Sequence, residues 1–335
     1  MRALRHHAFG PPAEVLRLDD VPMPEPGPGE VRVRLTHRGI NLADLLTIRG
    51  RYGRRPTLPA VGGNEGVGVV DARGEGVEGL AVGQRVVPLG AGPTWQEYLL
   101  APPERLLPVP AGVSDEAAAQ LYVNPLTAWL LLERVADAAE SLPRTRSGGD
   151  ALVLTAGASA VARCAIQLAA RRGLRPIAIV RRGEHADALR ALGAEVLVAD
   201  ANGEDARAQL RALVGPDGAR AVFDAVAGEA GALALSALRH GGRHVVYGGL
   251  SGAPLAVDAG ALIFRDVRVE GVWRTRWAAE APAEAIRRAV GALADLVAEG
   301  ALALPVEATY DLADWREALA HAAAPGRLGK VLLTG

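Results

Sequence analysis

Hydrophobic positions change their period near residue 125. Before it, apolar residues come in strand-length runs. Val31-Arg-Val-Arg-Leu35 alternates, and Gly66-Val-Gly-Val-Val70 and Gln84-Arg-Val-Val87 are compact β-branched runs. Turns such as Pro24-Glu-Pro-Gly-Pro-Gly29 separate them, which predicts an irregular all-β unit. After Asn124-Pro125 a helical run from Leu126 to Ala139 leads through the polar stretch Ser141 to Asp150 into regular alternation. Strand Ala151 to Thr155 precedes a helix from about Ser159 to Arg172, closed by Gly173. Strand Ile177 to Val180 precedes a helix from about Glu184 to Leu192, closed by Gly193. Strand Glu195 to Ala199, a helix after Gly203, strand Ala221 to Val226, a helix after Gly228 and strand Arg243 to Val246 complete the series. Short apolar strands alternating with helices predict an α/β fold, a doubly wound parallel sheet over residues 125–265. The tail holds a helix from about Ala281 to Glu299, another from Trp315 to Ala324 and strand Lys330 to Leu333. Residues 266–335 are expected to fold back onto residues 1–124 as one β-rich domain.

The 335 residues, half of them hydrophobic, suffice for two cores. A formal net charge of -1 argues against a nucleic-acid binder. The lone Cys164 excludes an internal disulfide and a multi-cysteine metal site, and it suits a reducing compartment. No run approaches the ~20 apolar residues of a membrane span, and no signal-peptide pattern opens the chain. The cytoplasm is the expected location, without a membrane partner.

A dinucleotide fingerprint belongs where the first strand of the alternating region runs into Gly157-Ala158-Ser159-Ala160-Val161-Ala162. Small residues there let backbone amides approach a pyrophosphate, although an ordinary tight turn is an open reading of this loop alone. The next strand ends in Arg181-Arg182, where NAD-preferring sites place an acidic residue. Paired guanidinium groups suit a 2′-phosphate, which points to NADPH, with a solvated charge pair as the plain alternative. Glu184 is read as a favourable charge at a helix start.

Several separated motifs then resemble the medium-chain dehydrogenase/reductase superfamily: Gly39-Ile-Asn-Leu-Ala-Asp44, Gly62-Gly-Asn-Glu-Gly-Val-Gly68 and Gly329-Lys-Val-Leu-Leu333. Within it, Val61 to Gly66, Val123-Asn-Pro-Leu-Thr-Ala-Trp129, Tyr247-Gly-Gly-Leu-Ser251, Leu262-Ile-Phe-Arg-Asp266, Gly271-Val-Trp273 and Trp277 are similar to the mitochondrial-type 2-enoyl-thioester reductases. The resemblance implies a Rossmann domain with a GroES-like substrate domain and a homodimer formed through an edge strand, with Val245 to Gly249 ending the sheet. Tyr247, Gly248, Gly249 and Trp273 are implied at the cofactor, and Trp273 and Trp277 as pocket walls. One departure is Ala160-Val-Ala162, where the family has Gly-Val-Gly.

Zinc-dependent relatives carry a cysteine where Asn41 stands and a histidine where Asn64 stands, so the resemblance implies no metal. Reduction of an activated double bond then needs a hydride, a donor for the developing enolate and a proton. Tyr52 matches the catalytic tyrosine of the enoyl-thioester reductases, and a phenol with a pKa near ~10 keeps its proton at neutral pH. Asn41, Asp44 and Asn64 are implied to line the former zinc cleft, Asn41 and Asn64 as catalytic candidates with Asn41 also at the substrate; Asn64 either orients substrate or water or makes a structural hydrogen bond, and Glu65 is structural beside them. Arg49, Arg51, Arg54, Arg55, Arg274 and Arg276 form an expected basic rim for the phosphates of a coenzyme A or carrier-protein thioester. The reading is NADPH-dependent reduction of a small-molecule 2-enoyl thioester. The alternatives are a quinone or enone reductase of the same fold and a non-catalytic NADPH-binding protein.

Overall fold

The computed structural model describes residues 1–136, 150–199 and 204–335. They form two compact units, Met1–Leu126 with Trp277–Gly335, and Thr127–Arg276.

In the first unit, alternation along Val31–Gly39 buries Val31, Val33 and Leu35 on one face, against Val70, Val86, Leu99 and Leu106. This strand is the centre of a seven-stranded sheet. Its path runs Val306–Asp311, Lys330–Thr334, Val31–Gly39, Gly66–Arg73, Arg85–Pro88 and Leu106–Pro108, with Tyr98–Ala101 also paired to Val31–Gly39. A three-stranded sheet, Leu16–Asp20, Arg2–His6 and Ala60–Val61, has its own pairing and is bridged to the segment before Tyr98 at Ala3 and Gln96. Leu4, Leu16, Ile48, Trp95, Trp315 and Leu333 close a second core that draws on both ends of the chain. The C-terminal strand pairs antiparallel with Val31–Gly39, Leu332 opposite Gly39, which sets Lys330 beside Ile40 and Asn41.

The second unit is a six-stranded parallel sheet ordered Glu195–Val198, Leu174–Val180, Asp150–Leu154, Ala219–Asp224, Leu238–Val246 and Arg268–Gly271. Its inner strands are buried along their length, as a parallel sheet covered on both faces requires. Chain order reverses between Asp150–Leu154 and Ala219–Asp224, the switch point at which such sheets bind ligands.

Four expectations change. The sheet does not end at Val245 to Gly249, because Arg268–Gly271 pairs outside Leu238–Val246. The expected domain boundary at residue 266 accordingly moves to Trp277. The physical reason is that Arg-Val-Glu-Gly is an exposed edge strand, so no apolar run announces it. The helix expected from Leu126 starts at Asn124; residues 137–139 of that expectation, and 141–149 of the polar stretch, lie outside the described residues. The helix expected from Glu184 spans Ala186–Ala191, since Gly183–His185 forms a 3-10 turn. Among the described residues, no helix is long and apolar enough to cross a membrane.

Candidate active site

Asn41 is the N-cap of the helix Leu42–Ile48, and its backbone amide donates to Asp44 Oδ2 at 2.7 Å. Its side chain was expected at the substrate; the structure corrects this, for Asn41 is buried and both its polar ends are committed. Nδ2 donates to Glu65 Oε1 at 2.7 Å, and Oδ1 accepts from Asn124 Nδ2 at 2.9 Å and from Lys330 Nζ. Lys330 Nζ also donates to Ile40 O at 2.7 Å. Glu65 is fully buried and its Oε2 accepts from the Val123 amide at 2.7 Å, which agrees with a structural role. The cleft residues therefore belong to a buried, hydrogen-bonded network.

Asn64 differs from Asn41 in being half-buried, and its Nδ2 donates to Asp44 Oδ1. Asp44 is buried, and burial pushes its carboxyl up to about 7. The Asn41 amide, Asn64 and the Lys330 ammonium oppose that rise, and the nearby Glu65 adds to it. A zinc ion does not fit this donor set. The Asn41 oxygen already carries a lysine cation, and Asn64 turns its amide nitrogen, which is no metal donor, toward Asp44.

Tyr52 is half-buried on the loop that follows Leu42–Ile48, with exposed Arg49, Arg51 and Arg54 around it. Arg55, expected in the same rim, is exposed as well and is also tied to its own loop. Its Nε donates to Gly50 O at 3.0 Å and its guanidinium lies 5.5 Å from the centre of the Phe9 ring. Arg274 is lost from the expected rim, because it is buried; Arg276 is exposed. Trp277 is half-buried in this first unit.

In the second unit, Ser159 caps the helix Ala160–Ala170, its Oγ accepting from the Ala162 amide at 3.3 Å. The Gly157 amide donates to Ile179 O at 2.9 Å, and a Cβ there would meet the Ala178 Cβ at 2.6 Å, so only glycine lets this loop pack on its neighbouring strand. Ala158, Ser159, Ala160 and Val161 are half-buried, whereas Ala162 is fully buried. The Ala162 methyl thus belongs to the packing and not to the surface that a pyrophosphate would approach. Arg181 and Arg182 follow the strand Leu174–Val180 directly and are exposed, with Arg182 Nη2 3.3 Å from Glu184 Oε1. Glu184 is therefore a partner of Arg182 as well as an early helical charge.

Tyr247 and Gly248 are half-buried and Gly249 is exposed, just past Leu238–Val246. The Tyr247 hydroxyl is buried near Ser159 with no hydrogen-bond partner among the described residues, and burial raises its pKa. Trp273 is exposed at 38%. Sequence reasoning missed Thr155, Asp224 and His244. Thr155 Oγ1 donates to Asp224 Oδ1 at 2.6 Å, His244 Nε2 lies 3.0 Å from Asp224 Oδ2, and the Val226 and Ala227 amides also donate to Asp224. Burial raises the Asp224 carboxyl, but these donors outweigh it and hold the group below its usual range. The signal was present as an acid and an imidazole inside otherwise apolar strands, which must pair when buried. A capped helix start, a close-packed glycine loop, exposed arginines and a buried hydroxyl lacking a partner together fit a dinucleotide.

These two units match two family models: "Alcohol dehydrogenase GroES-like domain" over residues 27–111 and "Zinc-binding dehydrogenase" over residues 160–291. The chain belongs to the medium-chain dehydrogenase/reductase family, in its enoyl-thioester reductase branch. It is 33% identical to the human mitochondrial enoyl-[acyl-carrier-protein] reductase over 340 residues, 100% of this chain and 88% of the relative. Among solved structures it resembles one described as an NADPH:quinone reductase from Bacillus thuringiensis, with 31% identity, a TM-score of 0.89, and 100% and 98% of the two chains covered. It also resembles a mycobacterial protein complexed with NADPH, with 30% identity, a TM-score of 0.86 and both chains covered completely.

Proposed function

We propose that the protein uses NADPH to reduce the activated double bond of a 2-enoyl thioester, with the acyl group carried on coenzyme A or a carrier protein. The observation that carries the reading is the half-buried Tyr52 phenol among the exposed Arg49, Arg51 and Arg54. Full-length similarity to the human enoyl-[acyl-carrier-protein] reductase supports it. When bound, NADPH supplies the hydride that adds to the β-carbon. The loop from Gly157 to Val161 would hold the pyrophosphate, with the Gly157 amide itself remaining on Ile179 O, and Arg181 and Arg182 would bind the 2′-phosphate. Tyr52 donates a hydrogen bond to the thioester oxygen as the enolate forms there, and a solvent proton then adds to the α-carbon. Asn64, fixed by Asp44, orients the acyl group.

Tyr52→Phe tests the assignment. Its kcat for crotonyl-CoA falls about tenfold to a thousandfold, the range for losing one such donor, while NADPH affinity holds. An unchanged kcat would sink the role given to the phenol. Faster turnover of a simple quinone than of crotonyl-CoA would favour the quinone-reductase alternative, which the likeness to the Bacillus thuringiensis structure supports.

The working form is a homodimer in this reading. Arg268–Gly271 leaves one edge of its sheet unpaired, and Ile263 and Phe264 close by in sequence are 70% and 79% exposed. Light scattering on the purified protein checks the dimer. A buried lone cysteine suits a reducing compartment, and the cytoplasm is the proposed one.

A further inference from the structure

Loop 50–55 is closed on itself and seated on an aromatic ring. The helix Leu42–Ile48 ends as the Gly50 amide donates to Thr47 O and the Arg51 amide to Leu46 O, both at 2.9 Å. Gly50 takes the left-handed conformation, φ +69°, and a Cβ there would lie 3.1 Å from Cβ and Cγ of Phe9. The chain then passes Tyr52 and returns at Arg55, whose Nε donates to Gly50 O at 3.0 Å. The same guanidinium covers the Phe9 ring at 5.5 Å. Phe9 itself has a firm base. It follows Arg2–His6, which pairs with Leu16–Asp20 and Ala60–Val61, its ring lies 5.7 Å from that of His6, and the Gly10 amide donates to Ile48 O at 3.1 Å.

We propose that Phe9 and Arg55 are positioning residues that clasp the ends of this loop and so hold the Tyr52 phenol in place. The inference rests on the role given to Tyr52 above and goes beyond it by separating two neighbouring arginines. Arg54 is an exposed charge for the substrate's phosphates, and Arg55 works through the loop. Precision of aim is what the clasp supplies. A short exposed loop held only by its helix samples many conformations, whereas a hydrogen-bond donor helps a developing oxyanion only when it is already aimed. A clasp that narrows those conformations raises kcat without adding affinity.

The test is a double-mutant cycle read as kcat and KM for crotonyl-CoA. Arg55→Ala and Phe9→Ala each lower kcat about threefold to thirtyfold and leave KM for NADPH unchanged. Phe9→Tyr keeps the ring and restores kcat. In the Tyr52→Phe background, Arg55→Ala costs less than about twofold, because a residue acting through the hydroxyl has nothing left to position. Trypsin cuts at Arg51 or Arg54 severalfold faster in Arg55→Ala, a readout of the open loop that needs no turnover. Arg55 lies at the surface, so its variants fold; Phe9→Leu serves if Phe9→Ala does not. Equal kcat losses for Arg55→Ala in both backgrounds overturn the clasp and leave Tyr52 its role. A salt-sensitive rise in KM with intact kcat overturns it too, by making Arg55 a substrate anchor. An unchanged kcat in Tyr52→Phe overturns the role of the phenol first, and the clasp's function with it.

Discussion

Lys330 Nζ donates to Asn41 Oδ1 across 289 positions of sequence, so a lysine cation rests on the side-chain oxygen of a buried asparagine. Asn41 in turn bonds Glu65 and Asn124, and the buried lysine is tolerated because its ammonium donates to Asn41 Oδ1 and to Ile40 O. The Asn41 amide is the hub of a web of hydrogen bonds.

Removing the hub should therefore cost stability more than chemistry. Asn41→Ala strips one bond each from Glu65, Asn124 and Lys330. The expected loss is about 2–4 kcal/mol, typical of breaking buried charged hydrogen bonds, measured by denaturant unfolding. Wild-type protein purified without a metal-affinity step should carry well under one zinc per chain, and a strong chelator should leave its activity intact. Stoichiometric zinc would contradict the donor set.

Asp44 should make stability depend on pH. Its carboxyl is raised from 3.8 to about 7 by burial, so between those values the folded chain holds a proton that the unfolded chain has lost. Stability from this group is thus present at low pH and declines as pH rises through that window. Asp44→Asn keeps an oxygen for the Asn41 amide and removes the titration. The unfolding midpoint of the variant, relative to wild type, should improve from pH 5 to pH 8, by on the order of 1 kcal/mol or more. Parallel profiles would mean that Asp44 stays ionised throughout.

Arg181 and Arg182 should select the cofactor. NADPH is expected to bind well over tenfold tighter than NADH, since charge-assisted contacts to a 2′-phosphate contribute about one to two decades. Arg181→Ala/Arg182→Ala should bring the two affinities within about threefold. Fluorescence titration gives both numbers. Glu184, 3.3 Å from Arg182, competes for that guanidinium, so Glu184→Gln should favour NADPH further.

Arg54 should act on binding alone. Arg54→Glu is expected to raise KM for crotonyl-CoA and leave KM for a small enone unchanged, because a remote phosphate contact contributes equally to ground and transition states. Added salt should shrink the wild-type advantage, as exposed charges are screened within about 8 Å at physiological ionic strength. A salt-independent KM would remove Arg54 from the substrate's path.

Local chemistry determined much of this molecule. Hydrophobic period alone separates the β-rich unit from the parallel sheet, because buried parallel strands must be apolar throughout and half-buried strands must alternate. The loop at Gly157, the Ser159 cap and the arginines after Val180 are legible because each follows its strand by one to a few residues. Tyr52 is proposed from its motif. The strand Arg268–Gly271 is not, since an exposed edge strand buries no face and so leaves no periodic mark. Nor does sequence distinguish Asn41 from Asn64, two amides expected in one cleft. Tertiary structure alone puts Lys330, Asn124 and Glu65 around the first and leaves the second half-buried. Arg54 and Arg55 are identical neighbours in the chain, and Phe9, forty-odd residues earlier, takes only one of them. Polar and charged side chains carry no preference for inside or outside beyond the partners that they find, and partners remote in sequence exist only once the chain has folded.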